Sequence, residues 1–153
     1  KRKTSSFRGY LNAGRAMSFE FPFEYADIEG MGRLFYPIVR VELRTTEGWR
    51  PFEFLVDTGA DVTTVPTHLL PLLGLERRKL RSSETLGVGG IVVKTWEFSL
   101  PIKIGKREII VAASAVEAQN DALPLLLGKK DIFEEKFNLL LDSTRKVTVL
   151  SEN

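Results

Sequence analysis

The segment Phe54-Leu55-Val56-Asp57-Thr58-Gly59-Ala60-Asp61 constrains the chain more than any other. Phe52, Phe54 and Val56 alternate with Glu53 and Leu55, the period of a strand, and the strand runs directly into a carboxylate. An unpaired charge at the end of an apolar strand is costly, so the acid needs hydrogen-bond donors or a partner that shares its proton. Thr58 supplies a hydroxyl donor, and Gly59 removes a side chain so that backbone amides can approach. Such a loop is a cradle for a reactive acid. A surface turn in which Asp57 merely caps backbone amides uses the same residues, and the turn alone leaves both readings open.

The surrounding pattern is mainly β. Val39 to Leu43 alternates with Arg40 and Glu42, and Glu47-Gly48 reads as a turn into the Asp57 strand. Gly87, Gly89 and Gly90 make Leu86–Ile91 a hairpin tip, from which Ile91, Val92, Val93, Trp96, Phe98 and Leu100 lead into a returning strand. Gly105-Lys106 turns that strand into Ile109–Ala113. Leu123–Leu127 is an apolar run ending at Gly128, and strands are expected at Phe137–Leu141 and Lys146–Leu150. A short helix is expected at Thr67–Leu73, started at Pro66-Thr67 and stopped by Gly74, and a second short helix or helical turn at Ile132–Phe137. With 153 residues, one domain and one core are expected. The first quarter is loose in pattern and basic at its start. A solvated arm, an interface strand and a charged binding tail all fit residues 1–16.

Composition removes several function classes. A net charge of +2 argues against a dedicated nucleic-acid binder. The absence of Cys removes disulfides, thiol catalysis and cysteine-ligated metal sites. A single histidine, His68, leaves no multi-histidine zinc site and makes a Ser-His-Asp triad a poor fit; it reads as a surface or capping residue. No run approaches the ~18 apolar residues of a bilayer span, and Lys1–Ser6 lacks the apolar centre of a signal peptide. The compartment stays open, with a soluble domain in the cytoplasm slightly favoured. The start at Lys1 fits a domain taken from a larger protein.

Asp57-Thr58-Gly59-Ala60 after an apolar strand resembles the active-site motif of the retroviral-type (retropepsin-like) aspartic proteases. The glycine-rich Gly87–Lys94 is similar to that family's flap. Leu125-Leu126-Leu127-Gly128-Lys129-Lys130-Asp131-Ile132-Phe133 resembles its closing run of apolar strand, glycine, basic residue and short helix. These matches follow the family's order over roughly residues 35–150.

The resemblance implies a retropepsin-like acid protease fold: a closed β-barrel-like domain with a flap hairpin and one or two short helices. It implies a basic N-terminal arm and possible interface segment at 1–34 and a protease domain at 35–153. One Asp-Thr-Gly per chain implies a homodimer, with Asp57 supplied by each copy to an aspartic endopeptidase needing no metal and no cofactor. Asp57, Thr58 and Gly59 are then the catalytic residues, the Thr58 hydroxyl reaching across the two-fold axis. Ala60, Asp61, Val88, Gly89, Gly90, Ile91 and Lys129 are the substrate-binding residues, and the substrate is an extended peptide or protein. Lys129 stands where the retroviral enzymes carry Arg, keeping the charge without the two-pronged geometry, and Lys130 is a rival partner for Asp61. Trp96 is assigned to packing, and Asp142 to capping a turn with Ser143 and Thr144. A catalytically silent peptide-binding or assembly module with the same dimeric fold is the alternative. No nucleic acid and no membrane-spanning segment are expected.

Overall fold

The computed structural model describes residues 8–11, 17–86, 88–117 and 124–153. Gly87, Leu123 and the opening basic residues Lys1–Lys3 lie outside them, as does Arg15. The described chain runs β1 (Arg8–Leu11), β2 (Met17–Pro22), β3 (Glu24–Ile28), β4 (Gly32–Tyr36), β5 (Ile38–Thr45), β6 (Gly48–Val56), β7 (Thr63–Pro66), β8 (Arg81–Leu86), β9 (Val92–Ile104), β10 (Arg107–Val116), β11 (Leu125–Leu127), β12 (Phe137–Asp142) and β13 (Val147–Glu152).

Alternation places the core. In β5, Val39, Val41 and Leu43 are buried while Arg40 and Arg44 are exposed, as a strand with one covered face requires. Phe54 and Val56 of β6, Leu100, Ile102 and Ile104 of β9, and Val111, Ala113 and Ala115 of β10 join them. β2 contributes Phe19 and Phe21, both buried, and pairs antiparallel with β13. Each such side chain contributes about 1.5–3 kcal/mol by leaving water. The boundary expected between residues 34 and 35 falls within β4, which pairs with β3 in a two-stranded sheet.

The expected closed β-barrel-like domain with one or two short helices is not what forms. The strands divide into three sheets: seven strands in the order β10-β7-β11-β6-β5-β9-β8, four in the order β1-β2-β13-β12, and the β3–β4 pair. The larger sheet curls far enough for β10 to meet β9 as well as β7. However, β8 takes Val92–Glu97 of β9, and β5 meets only Ile102 and Lys103 on the same edge. The sheet therefore splays where β8 departs, and β8, β1 and β12 remain outer strands.

Among the described residues there is no α-helix, only short 3-10 turns at Thr67–Leu69, Arg77–Lys79 and Val88–Gly90. Between Pro66 and Gly74 the chain makes successive turns, with Leu70 N–H donating to the Thr67 carbonyl, Leu73 N–H to the Leu69 carbonyl and Gly74 N–H to the Pro71 carbonyl. Pro71 has no N–H with which to continue the first turn as a helix. At the second site Asp131 adopts a left-handed φ of 65°. The Lys129 carbonyl receives the N–H groups of Ile132, Phe133 and Glu134. Of the short helix or helical turn expected there, the chain forms successive turns and no helix.

Candidate active site

Asp57 emerges at the end of β6, and the chain returns in β7, but these limbs do not pair with each other. The three-residue β11 lies between them, parallel to β6 (Leu127 opposite Val56) and antiparallel to β7 (Leu126 opposite Thr64). The loop is thereby held from below. Asp57 N–H donates to the Leu127 carbonyl at 3.0 Å, Lys129 N–H to the Ala60 carbonyl at 3.0 Å and Lys130 N–H to the Asp61 carbonyl at 2.9 Å. Val56 N–H donates to the Pro37 carbonyl at 3.0 Å, which fixes the strand end just before the acid.

The Asp57 carboxylate is half-buried and accepts a hydrogen bond from Gly59 N–H at 2.9 Å. A Cβ on Gly59 would stand 3.2 Å from the same oxygen; glycine is what lets the amide come this close. Thr58, expected as the hydroxyl donor, is exposed and makes no side-chain hydrogen bond among the described residues. Ala60 N–H closes the turn on the Asp57 carbonyl at 3.1 Å.

Asp61 and Lys129 are brought together, Nζ to Oδ1 at 3.4 Å. Lys130 meets Asp61 only through its backbone. The Asp61 side chain is 92% exposed, so the pair is worth at most about 1 kcal/mol.

The predicted hairpin forms: β8 and β9 are antiparallel with Leu86 opposite Val92. Gly89 and Gly90 sit at its tip with φ of 82° and 78°. Leu86, Ile91 and Val92 are 75%, 66% and 57% exposed. Of Val88, only the backbone is described. Among the described residues, no hydrogen bond or ion pair joins Gly89, Gly90 or Ile91 to the Asp57 loop.

His68 is exposed in the middle of the Thr67–Leu69 turn. Trp96 is buried, with the Arg77 guanidinium 4.7 Å from its ring centroid. The Asp142 carboxylate caps the β12–β13 turn by accepting from the N–H groups of Thr144 and Arg145.

Two supporting residues gave no local signal in the sequence. Thr63 is fully buried, and its hydroxyl accepts the Gly128 N–H at 3.2 Å. The Asp131 carboxylate accepts the Ala112 N–H at 2.8 Å, tying the turns after β11 to β10. Both bonds link residues distant in sequence, so neither follows from a local pattern. Among the described residues, no group of three or more His, Cys, Asp or Glu side chains is arranged to hold a metal ion. Among the described residues, no helix is long and apolar enough to cross a membrane.

A mainly β fold with an Asp-Thr-Gly loop held over a threaded strand defines an aspartic-protease scaffold. The sequence profile of the family described as "gag-polyprotein putative aspartyl protease" matches residues 45–133. The chain belongs to that family, and so to the retropepsin-like aspartic-protease superfamily. Among solved structures it is similar to a retropepsin-like aspartic protease from Rickettsia conorii. The identity is 18% and the TM-score 0.63, over 99% of this chain and 97% of that one. That likeness is one of fold. EIAV protease in complex with an inhibitor matches at 26% identity and TM-score 0.47, over 68% of this chain and 88% of that one. The retroviral protease-like domain of Ddi1 from Leishmania major matches at 17% and 0.46, over 70% and 82%. No curated protein matches the chain.

Proposed function

We propose that the protein is a homodimeric aspartic endopeptidase whose two catalytic carboxyls are the Asp57 side chains of two copies. The observation that carries this reading is the Asp57 loop of a family member, held at both its backbone and its carboxylate, with a single Asp-Thr-Gly in the chain. Amide hydrolysis by general acid–base catalysis needs two adjacent carboxyls, one ionised and one protonated. Like charges about 3 Å apart resist joint ionisation, so such a pair retains one proton. The ionised member takes a proton from water as its oxygen attacks the scissile carbonyl carbon, and the neutral member protonates the carbonyl oxygen. Collapse of the tetrahedral adduct breaks the C–N bond, and the amine leaves with a proton from the pair.

Thr58 and Gly59 shape this site, Thr58 by contact across the two-fold axis. Ala60, Asp61 and Lys129 flank an extended peptide bound by strand-like pairing. Val88, Gly89, Gly90 and Ile91 form the lid that closes over it and excludes bulk water. The exposed apolar residues of the hairpin favour substrates with large apolar side chains beside the cut.

The test is mass-spectrometric analysis of a diverse peptide library at acidic pH, with wild type beside Asp57→Asn at concentrations that support a dimer. Cleavage by wild type and none by the variant is expected. Equal cleavage by both overturns the mechanism. No cleavage by either, with measurable peptide binding, leaves a silent binding module.

A further inference from the structure

We infer that Thr63 is a positioning residue for Asp57, acting through β11; its catalytic consequence rests on the aspartic-protease reading above. The loop from Asp57 to Thr63 and the segment from Leu127 to Lys130 are joined by four hydrogen bonds. Three are backbone to backbone: Asp57 to Leu127, Ala60 to Lys129 and Asp61 to Lys130. The fourth runs from Gly128 N–H to the Thr63 hydroxyl. It is the one bond of the four that a side-chain substitution removes.

Its place in the set gives it leverage. Leu127 and Gly128 are consecutive, so the residue whose carbonyl receives the Asp57 N–H is fixed on its other side by Thr63. Gly128 also crosses the β7 limb without clearance. A Cβ there would lie 2.4 Å from the Val62 carbonyl carbon and 2.8 Å from the Thr63 nitrogen. Thr63 is fully buried, and Gly128 is buried too. No bulk water is at hand to replace a lost acceptor, and an orphaned buried N–H drives the backbone to move. Moving Gly128 moves the Leu127 carbonyl, and with it the receptacle of Asp57. A misplacement of about 1 Å at a reacting group costs on the order of a hundredfold in rate.

The experiment compares Thr63→Val, which keeps the shape and removes the hydroxyl, with Thr63→Ser, which keeps it. Amide hydrogen exchange is measured by NMR alongside peptide hydrolysis, on the full chain. Thr63→Val is expected to speed exchange at Gly128 and Asp57 while amides of the β9–β10 ladder, such as Ile102, stay protected. Its kcat is expected to fall by about 10–100-fold with KM within about threefold, and the limbs of its pH–rate profile to shift because the spacing of the coupled carboxyls changes. Thr63→Ser is expected to restore all of these. The inference is overturned by unchanged Asp57 exchange in Thr63→Val, or by a folded Thr63→Ser variant that is as slow as the Val variant. The exchange measurement decides the clamp even where wild type and Asp57→Asn cleave alike, the outcome that would sink the protease reading instead.

Discussion

The Asp57 loop and the β8–β9 hairpin tip both depend on glycine, for opposite reasons. At the loop, Gly128 is required by lack of room: the backbone of Val62 and Thr63 occupies the space of a side chain. At the tip, Gly89 and Gly90 have nothing within 4 Å of a Cβ; what they supply is a left-handed φ. The loop is tied to β11 and to Pro37 by backbone hydrogen bonds, whereas the tip exposes Leu86, Ile91 and Val92 to solvent. The group proposed to meet a reacting atom is held over a crossing of strands. A segment expected to cover a substrate extends beyond them.

Gly128→Ala puts the largest strain on this contrast. Its Cβ collides with backbone instead of the end of a flexible side chain, so a loss of about 3 kcal/mol or more is expected. A drop in Tm larger than for any single substitution at the tip would bear the contrast out, and wild-type Tm would break it. Gly89→Ala is next. Forcing a left-handed φ on alanine costs about 1–2 kcal/mol, but locally, where little else is packed. Its Tm should move less than that of Gly128→Ala, while peptide turnover, on the proposed function, slows because the hairpin tip is reshaped. A tip variant that unfolds the protein while Gly128→Ala does not would reverse the argument. The smallest effect is expected from Lys129→Met, which removes the exposed partner of Asp61. A stability change below about 1 kcal/mol is expected, shrinking with added salt. Urea titrations at two ionic strengths would check it, and a larger, salt-independent loss would show that Lys129 serves the fold through something other than this ion pair.

The contrast also marks how much was legible in sequence. The strand into Asp57, the hairpin at Leu86–Val92 and the β9–β10 pair follow from local alternation and turn chemistry, and each formed. β2 was harder to see: Phe19 and Phe21 alternate with Ser18 and Glu20, but over a short stretch beside a basic, glycine-containing run. The helix expected at Thr67–Leu73 did not form, and of the helix or helical turn expected at Ile132–Phe137 only turns formed. Pro71 withholds a donor in the first, and the chain enters the second through the left-handed Asp131, a conformation Asp adopts more readily than most residues but that its type alone does not dictate. The splaying of the seven-stranded sheet depends on two strands sharing one edge of β9, a competition between distant segments. Within the site, Asp57, Gly59 and the Asp61–Lys129 pair carry chemical signatures in sequence. Thr63 carries none, because its importance arises only from what β11 brings beside it.

The threading of β11 also orders events in time. β6 and β7 end at Val56 and Pro66, and the strand that must lie between them begins only at Leu125. Contacts between such remote segments form slowly, because a long loop must close before any of them is made. Until β11 arrives, Asp57 N–H lacks the Leu127 carbonyl and Thr63 has no Gly128 N–H to accept. A nascent chain thus carries its acid in an unshaped loop until late in folding.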